Sequence, residues 1–197
     1  MFIWRKGIFC LEAEWFGLRS SVSVRPALEF LRAGDFRVPF IHRDVATRAE
    51  LEHYLRKWLQ QAHSDFPVLW LSIHTRRGLL LPGDVRRRDE KMDFDDLEQR
   101  LAGQCSGRMI HFGGCRTIDL PRERIQRFLR TTRAVAVSGF LEEVDWSEST
   151  LFEMALLLEL QRQPLKPAGL ATMQRRLMRH HGAMARRLGF RLHRRAR

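Results

Sequence analysis

The chain has 197 residues, of which 44% are hydrophobic, and it carries a formal net charge of +12. This length fits one domain, or one domain with an extension, and the composition is sufficient for a sizeable core. No apolar run reaches the ~20 residues that a membrane-spanning helix needs, so the sequence predicts no membrane association.

Strand-like and helix-like segments alternate along the chain. The N-terminus carries charges and lacks a small-residue cleavage site, so its apolar run is interpreted as a first strand and not as a signal peptide. The elements predicted in chain order are a strand at 7–15, a helix at 23–34, a strand at 36–45, a helix at 47–65, a strand at 67–74, a polar loop or hairpin at 75–91, a helix at 93–104, a strand at 108–115, a helix at 121–132, a strand at 134–140 and a helix at 147–163. Pro39 favours an edge position for the second strand, and Thr47 with Glu50 forms a capping box. This order predicts an α/β fold with three αβα layers and a mostly parallel sheet.

The last segment, 164–197, is strongly basic. No acidic residue follows Glu159, whereas eleven of the 35 lysines and arginines do. Apolar residues such as Leu170, Met173 and Leu177 fall on one helical face, so we predict a helix and a short strand packed on the domain formed by 1–163. The alternative is a basic surface for RNA, DNA or an acidic partner, although no aromatic stacking platform accompanies it.

The three cysteines are Cys10, Cys105 and Cys115. Their odd number and wide spacing indicate neither a disulfide framework nor a CxxC metal site. A reducing, cytoplasmic compartment is therefore expected, and no metal or other cofactor is predicted. Cys10 and Cys105 are interpreted as core or surface thiols.

Residues capable of chemistry follow several predicted strands. In open α/β sheets, sites form beyond the carboxyl ends of the strands. His74 ends the third strand and Cys115 ends the fourth, and neighbouring strands lie ~4.8 Å apart. The residues at the other strand ends are Glu12, Glu14, Asp44, Ser138 and Gly139.

An imidazole beside a thiol activates the sulfur as a nucleophile by taking its proton. Gly113 and Gly114 leave the backbone bare next to Cys115, which suits close approach of a substrate and main-chain N–H groups directed at an oxyanion. His111 is on the same strand as Cys115 but ~13 Å away by strand geometry, so His74 is the predicted base.

These residues carry a resemblance to a known family. A histidine ending the third strand and a cysteine ending the fourth, the context "GGCRT", and the later run "VSGFLEEVDWSESTLFEMALL" resemble the caspase-like cysteine peptidases, including the bacterial CHAT-domain proteins. The resemblance covers roughly residues 7–163. The segment "CLEAEW" is similar to an uncharacterised bacterial branch with C-[IL]-E-x-E-W near its start.

The resemblance implies a cysteine endopeptidase that needs no cofactor. His74 and Cys115 would form the catalytic dyad, and the backbone N–H groups of Thr75, Gly114 and Cys115 would hold the oxyanion. A protein or peptide substrate is implied, and so is a regulatory protein partner. The family usually has glycine after the histidine, where this chain has Thr75, so a catalytically inactive interaction module is one alternative and a nucleic-acid-binding α/β protein is another.

Pocket charge indicates the residue after which the chain would cleave. Caspases place arginine near the end of the first strand to bind aspartate, whereas this chain has Glu12, Glu14 and Asp44 around that rim. We therefore predict a basic residue at P1 of the substrate. Ser138 and Gly139 complete the predicted substrate-binding set. Asp145 and Trp146 are interpreted as a helix cap and a packing anchor, with substrate contact as the alternative.

Overall fold

A computed structural model of the chain describes residues 5–17 and 19–196. The strands are β1 (Ile8–Glu12), β2 (Phe40–Asp44), β3 (Val68–Ser72), β4 (Thr75–Arg76), β5 (Leu79–Leu80), β6 (Met92–Asp93), β7 (Met109–Phe112), β8 (Ala136–Phe140) and β9 (Phe190–Arg194). The α-helices are α1 (Arg25–Ala33), α2 (Arg48–Leu59), α3 (Phe94–Leu101), α4 (Arg122–Thr132), α5 (Trp146–Gln161) and α6 (Pro167–Arg187). Residues 1–4, at the predicted N-terminal strand, and Arg197, in the predicted basic segment, lie outside the described residues.

Six strands form the central sheet in the order β2-β1-β3-β7-β8-β9. The first five are parallel, and β9 pairs antiparallel with β8. Strands β4 and β5 lie in the segment 75–91 predicted as a loop or hairpin, and together with β6, which follows it, they form a separate small antiparallel sheet. The predicted α/β fold with a mostly parallel sheet is confirmed.

Two hydrophobic cores lie on opposite faces of this sheet. Alternate residues of a strand point to opposite faces, so Ile8 and Cys10 join one core and Phe9 and Leu11 join the other. Helices α1, α5 and α6 cover the first core, and α2, α3 and α4 cover the second. The near-continuous hydrophobicity of the inner strands follows from this burial on both faces.

Local features of the sequence mark the starts of β2 and α2. Strand β2 lies at the sheet edge directly after Pro39, as expected for a residue that has no N–H to donate. Helix α2 begins after Thr47, whose hydroxyl accepts the N–H of Glu50 at 3.2 Å. The Glu50 carboxylate reaches back to the N–H of Ala46, one residue before the cap.

The basic C-terminal segment is part of the fold. Helix α6 buries Leu170, Met173 and Leu177 in the core that it shares with α5, and β9 extends the sheet. Among the described residues, no helix has both the length and the apolar composition to cross a membrane.

Candidate active site

His74 and Cys115 line one cavity of about 220 Å³ at the carboxyl end of the sheet, which we call the Cys115 cavity. Their strands β3 and β7 are parallel neighbours, with Leu71 opposite Phe112. His74 lies three residues after Leu71, and Cys115 lies three residues after Phe112. The parallel register therefore places both residues at the same edge of the sheet. Both side chains are partly exposed.

The main chain after β1 orients the His74 ring. Its Nε2 lies 2.9 Å from the carbonyl oxygen of Trp15, and the two rings meet edge to face at 4.7 Å. A carbonyl oxygen only accepts hydrogen bonds, so Nε2 carries the proton in the neutral ring. The lone pair is therefore on Nδ1, which is the atom that can remove a proton from a thiol.

The Cys115 sulfur lies beside the start of α5. The N–H of Val144 donates to Sγ at 3.5 Å, and Asp145 caps the helix by accepting the N–H of Glu148 at 2.9 Å. A backbone N–H and the positive end of a helix dipole both stabilise a negative sulfur. Within the described residues no hydrogen bond joins this sulfur to His74.

Threonine side chains tie the His74 turn to the Cys115 turn. The hydroxyl of Thr75 donates to the carbonyl oxygen of Cys115 at 2.5 Å and accepts from the hydroxyl of Thr117 at 2.7 Å. Thr75, which stands where glycine is usual in the caspase-like peptidases, therefore has a defined structural partner here. Among the described residues, the N–H groups of Gly114 and Cys115 have no acceptor.

Glu12 lies behind the cavity at the end of β1, with 3% of its surface exposed. Its carboxylate accepts hydrogen bonds from the Trp15 indole, the Ser23 hydroxyl, the Val24 N–H and the His42 ring, at 2.6–2.9 Å. Burial alone would raise the pKa of Glu12, but these four donors outweigh it and hold the pKa below its usual range. Glu12 thus fixes Trp15, whose carbonyl oxygen holds His74.

The other predicted acidic residues are at the surface. Glu14 is exposed and lines a crevice that His74 and Arg86 also line, which we call the Glu14 crevice. Asp44 is exposed near Glu12 and His42, and one ligand atom from each of these three lies within 4.8 Å of the others. Both Glu12 oxygens already accept two hydrogen bonds each, so this group is a hydrogen-bonded cluster and not an open metal site.

Ser138 and Gly139 lie inside the sheet and not at its rim. The predicted strand and β8 both end at residue 140, so the two residues lie before the strand end and within the paired part of the sheet. Ser138 is fully buried, and its hydroxyl lies 2.8 Å from Nδ1 of His111. Neither residue lines the Cys115 cavity.

The cavity has a buried acidic residue that the sequence analysis did not identify. Glu153, on α5, lines the cavity with 2% of its surface exposed. It follows Ser149 by four residues, and both belong to the buried face of α5. An acidic residue within the apolar run "LFEMALLLEL" was the available signal.

Comparison with known proteins agrees with this architecture. The solved structure of pro-sf-caspase-1 is similar over 93% of this chain and 83% of its own, with a TM-score of 0.53 and 12% identity. The chain therefore has a caspase-like fold. No curated protein matches the sequence. A family model described as "Family of unknown function (DUF6642)" matches residues 5–194, so the chain belongs to that family.

Proposed function

We propose that this protein is a cysteine endopeptidase with His74 and Cys115 as its catalytic dyad. One observation carries the proposal: the two side chains line one cavity, with the imidazole held by the Trp15 carbonyl so that Nδ1 is free to accept a proton. The sequence resemblance to CHAT-domain proteins and the caspase-like fold both agree with it.

The reaction uses the dyad twice. Nδ1 of His74 takes the thiol proton as the Cys115 sulfur bonds to the carbonyl carbon of the scissile peptide. The same proton passes to the leaving amine, the C–N bond breaks and an acyl-enzyme remains. His74 then deprotonates a water that hydrolyses the thioester and regenerates the thiol.

The negative oxygen of the tetrahedral intermediate requires fixed donors. The N–H groups of Gly114 and Cys115 have no other acceptor among the described residues. The third proposed donor is the N–H of Thr75, the first residue of β4, whose hydroxyl is bonded to the Cys115 carbonyl. Fixed donors directed at a developing charge lower the barrier because they need no reorganisation during the reaction.

The proposed substrate is a peptide with a basic residue at P1. The exposed carboxylate of Glu14 in the Glu14 crevice, next to His74, supports this preference. Cleavage in the cytoplasm is proposed because all three cysteines are free thiols, which a reducing compartment preserves.

Alkylation tests whether Cys115 is a reactive nucleophile. Burial raises the pKa of the Cys105 thiol to about 12. Burial, with the charges of Glu12, Glu153 and Asp44, raises that of Cys10 well above its usual value. A raised thiol pKa lowers the thiolate fraction, so at pH 7.5 iodoacetamide should modify Cys115 alone, as read by peptide mapping.

The same experiment includes the dyad partner. His74→Ala should slow alkylation of Cys115 by about tenfold, because the sulfur loses its proton acceptor. Cys115→Ser should remove labelling in the folded protein. Faster labelling of Cys10 or Cys105, or a rate at Cys115 that does not depend on His74, would contradict the proposal.

An inactive interaction module of the same fold is the second candidate. It is favoured by the contacts of the sulfur, which donates to the Val144 carbonyl and accepts from the Val144 N–H, whereas the His74 ring is hydrogen-bonded to the Trp15 carbonyl. For this candidate, Cys115 would react no faster than an ordinary partly exposed thiol.

Nucleic-acid binding is a further candidate, which the exposed arginines of α6 and β9 support.

A further inference from the structure

The carboxylate of Glu153 forms the floor of the Cys115 cavity. Its Oε1 accepts hydrogen bonds from Nε2 of His111 at 2.7 Å and from the Trp70 indole at 3.2 Å. No described residue donates a hydrogen bond to its Oε2, although the side chain is 98% buried and lines the cavity. Glu153 is not among the described residues with a fully buried polar atom that lacks a partner, so Oε2 is open to the cavity, where a ligand or water can donate to it.

Gly113 makes room for this floor. A Cβ atom at Gly113 would lie 2.6 Å from Oε1 of Glu153 and 2.8 Å from the Trp70 indole nitrogen. Any other residue there would displace the carboxylate from beneath the strand end. The absence of a side chain two residues before Cys115 therefore leaves the floor open to a group bound beside the sulfur.

The charge of the cavity is opposite to that of the protein. The chain carries a formal charge of +12, yet the described residues lining the cavity include Asp145 and Glu153 and no lysine or arginine. The Asp145 carboxylate caps α5, whereas Oε2 of Glu153 is uncommitted. The hydrogen bonds of His111 to Glu153 and to Ser138 are both satisfied by a neutral imidazole, which needs no positive charge beside the carboxyl group of Glu153.

The walls of the cavity are aromatic. Trp15, Phe16 and Trp146 line it together with the aliphatic Val24 and Val144. Aromatic faces attract cations, and the planar guanidinium group both stacks on an indole and binds a carboxylate through paired N–H groups.

We propose that this cavity binds the guanidinium group of an arginine side chain, with Glu153 as the residue that determines specificity. The proposal rests on the proposed function for its reaction, since the bound arginine would be the P1 residue of the scissile peptide. It assigns recognition of the P1 side chain to the buried carboxylate of Glu153, beside the sulfur, and not to the exposed carboxylate of Glu14. The binding itself does not require that cleavage occurs.

Binding of two matched ligands tests the assignment directly. Nα-acetyl-arginine amide and Nα-acetyl-citrulline amide have the same shape and differ in charge, and either can be titrated by tryptophan fluorescence because Trp15 and Trp146 line the cavity. Wild-type protein should bind the arginine ligand at least about tenfold more tightly. Glu153→Gln should abolish this difference, whereas the exposed Glu123→Gln on α4 should leave it within about twofold.

The stability of the variant provides a check on folding. Burial raises the pKa of Glu153, with hydrogen bonds from His111 and Trp70 offsetting part of the effect. A carboxyl whose folded pKa is raised contributes stability that is lost as the pH rises through that pKa. Glu153→Gln should therefore melt at a higher temperature than wild type at pH 8, with a smaller difference at pH 4.

The outcomes distinguish recognition by the buried Glu153 from recognition by the exposed Glu14. Equal binding of the arginine and citrulline ligands to wild type, or an arginine preference that survives in Glu153→Gln but fails in Glu14→Gln, would overturn the proposal. If Glu153→Gln does not fold, Glu153→Asp retracts the charge by one methylene and should weaken arginine binding by a smaller factor. Arginine binding that depends on Glu153 without any peptide cleavage would support this site while refuting the proposed peptidase.

Discussion

His74→Ala is expected to lower kcat/KM for peptide cleavage by about three orders of magnitude. The imidazole is the group in the Cys115 cavity that can accept the thiol proton and return it to the leaving amine, and general acid–base catalysis of this kind contributes 10²–10⁴-fold. The measurement is cleavage of a peptide library at pH 7.5 by wild-type and variant proteins at equal concentrations.

A histidine outside the site provides the matched control. His53 lies exposed on α2, where its ring contacts that of Tyr54. His53→Ala should keep activity within about twofold of wild type. Equal activity of His74→Ala and His53→Ala would mean that the imidazole at the cavity takes no part in catalysis.

Gly114→Ala is expected to destabilise the protein by about 3 kcal/mol or more. The added Cβ would collide with the carbonyl oxygen of Ile73 and with the side chain of Thr75. The first of these is backbone, so relief requires the His74 turn to move away from the Cys115 turn, at a cost in the upper range for overpacking. Denaturant unfolding followed by circular dichroism measures the change in the free energy of unfolding.

Gly103 separates this clash from the general effect of replacing a glycine. Its φ is +74°, and a Cβ there would meet nothing within 4 Å. Gly103→Ala should therefore cost only the left-handed backbone strain, about 1–2 kcal/mol. If Gly114→Ala lowers the free energy of unfolding no more than Gly103→Ala does, Gly114 is not in the close contact with Ile73 and Thr75 described here.

The fold was predictable because its main determinants are local. Hydrophobic runs of strand length alternated with amphipathic helices, and Pro39 correctly indicated an edge strand. The order of the strands supports the juxtaposition of His74 and Cys115, since β3 and β7 are neighbours in parallel register. Equal spacing from the paired residues then places both at one cavity.

The inner part of the site was not predictable because it depends on pairs distant in sequence. Glu153 meets His111 and Trp70 across 42 and 83 positions. Ser138 was predicted to line the site because it lies close to the end of its strand, and the pattern does not show that its hydroxyl meets His111 inside the sheet. Likewise, the acceptor that orients His74 is a main-chain carbonyl, which residue identity does not reveal.

Covalent trapping tests the dyad most directly. A set of peptidyl acyloxymethyl ketones with arginine, aspartate and alanine at P1 is incubated with the protein, and adducts are mapped by mass spectrometry. We expect a thioether adduct on Cys115, formed with loss of the acyloxy group, most rapidly with arginine and at least about 100-fold more slowly in His74→Ala. No adduct on Cys115 with any of the three reagents, or adducts that form equally fast without His74, would contradict the account.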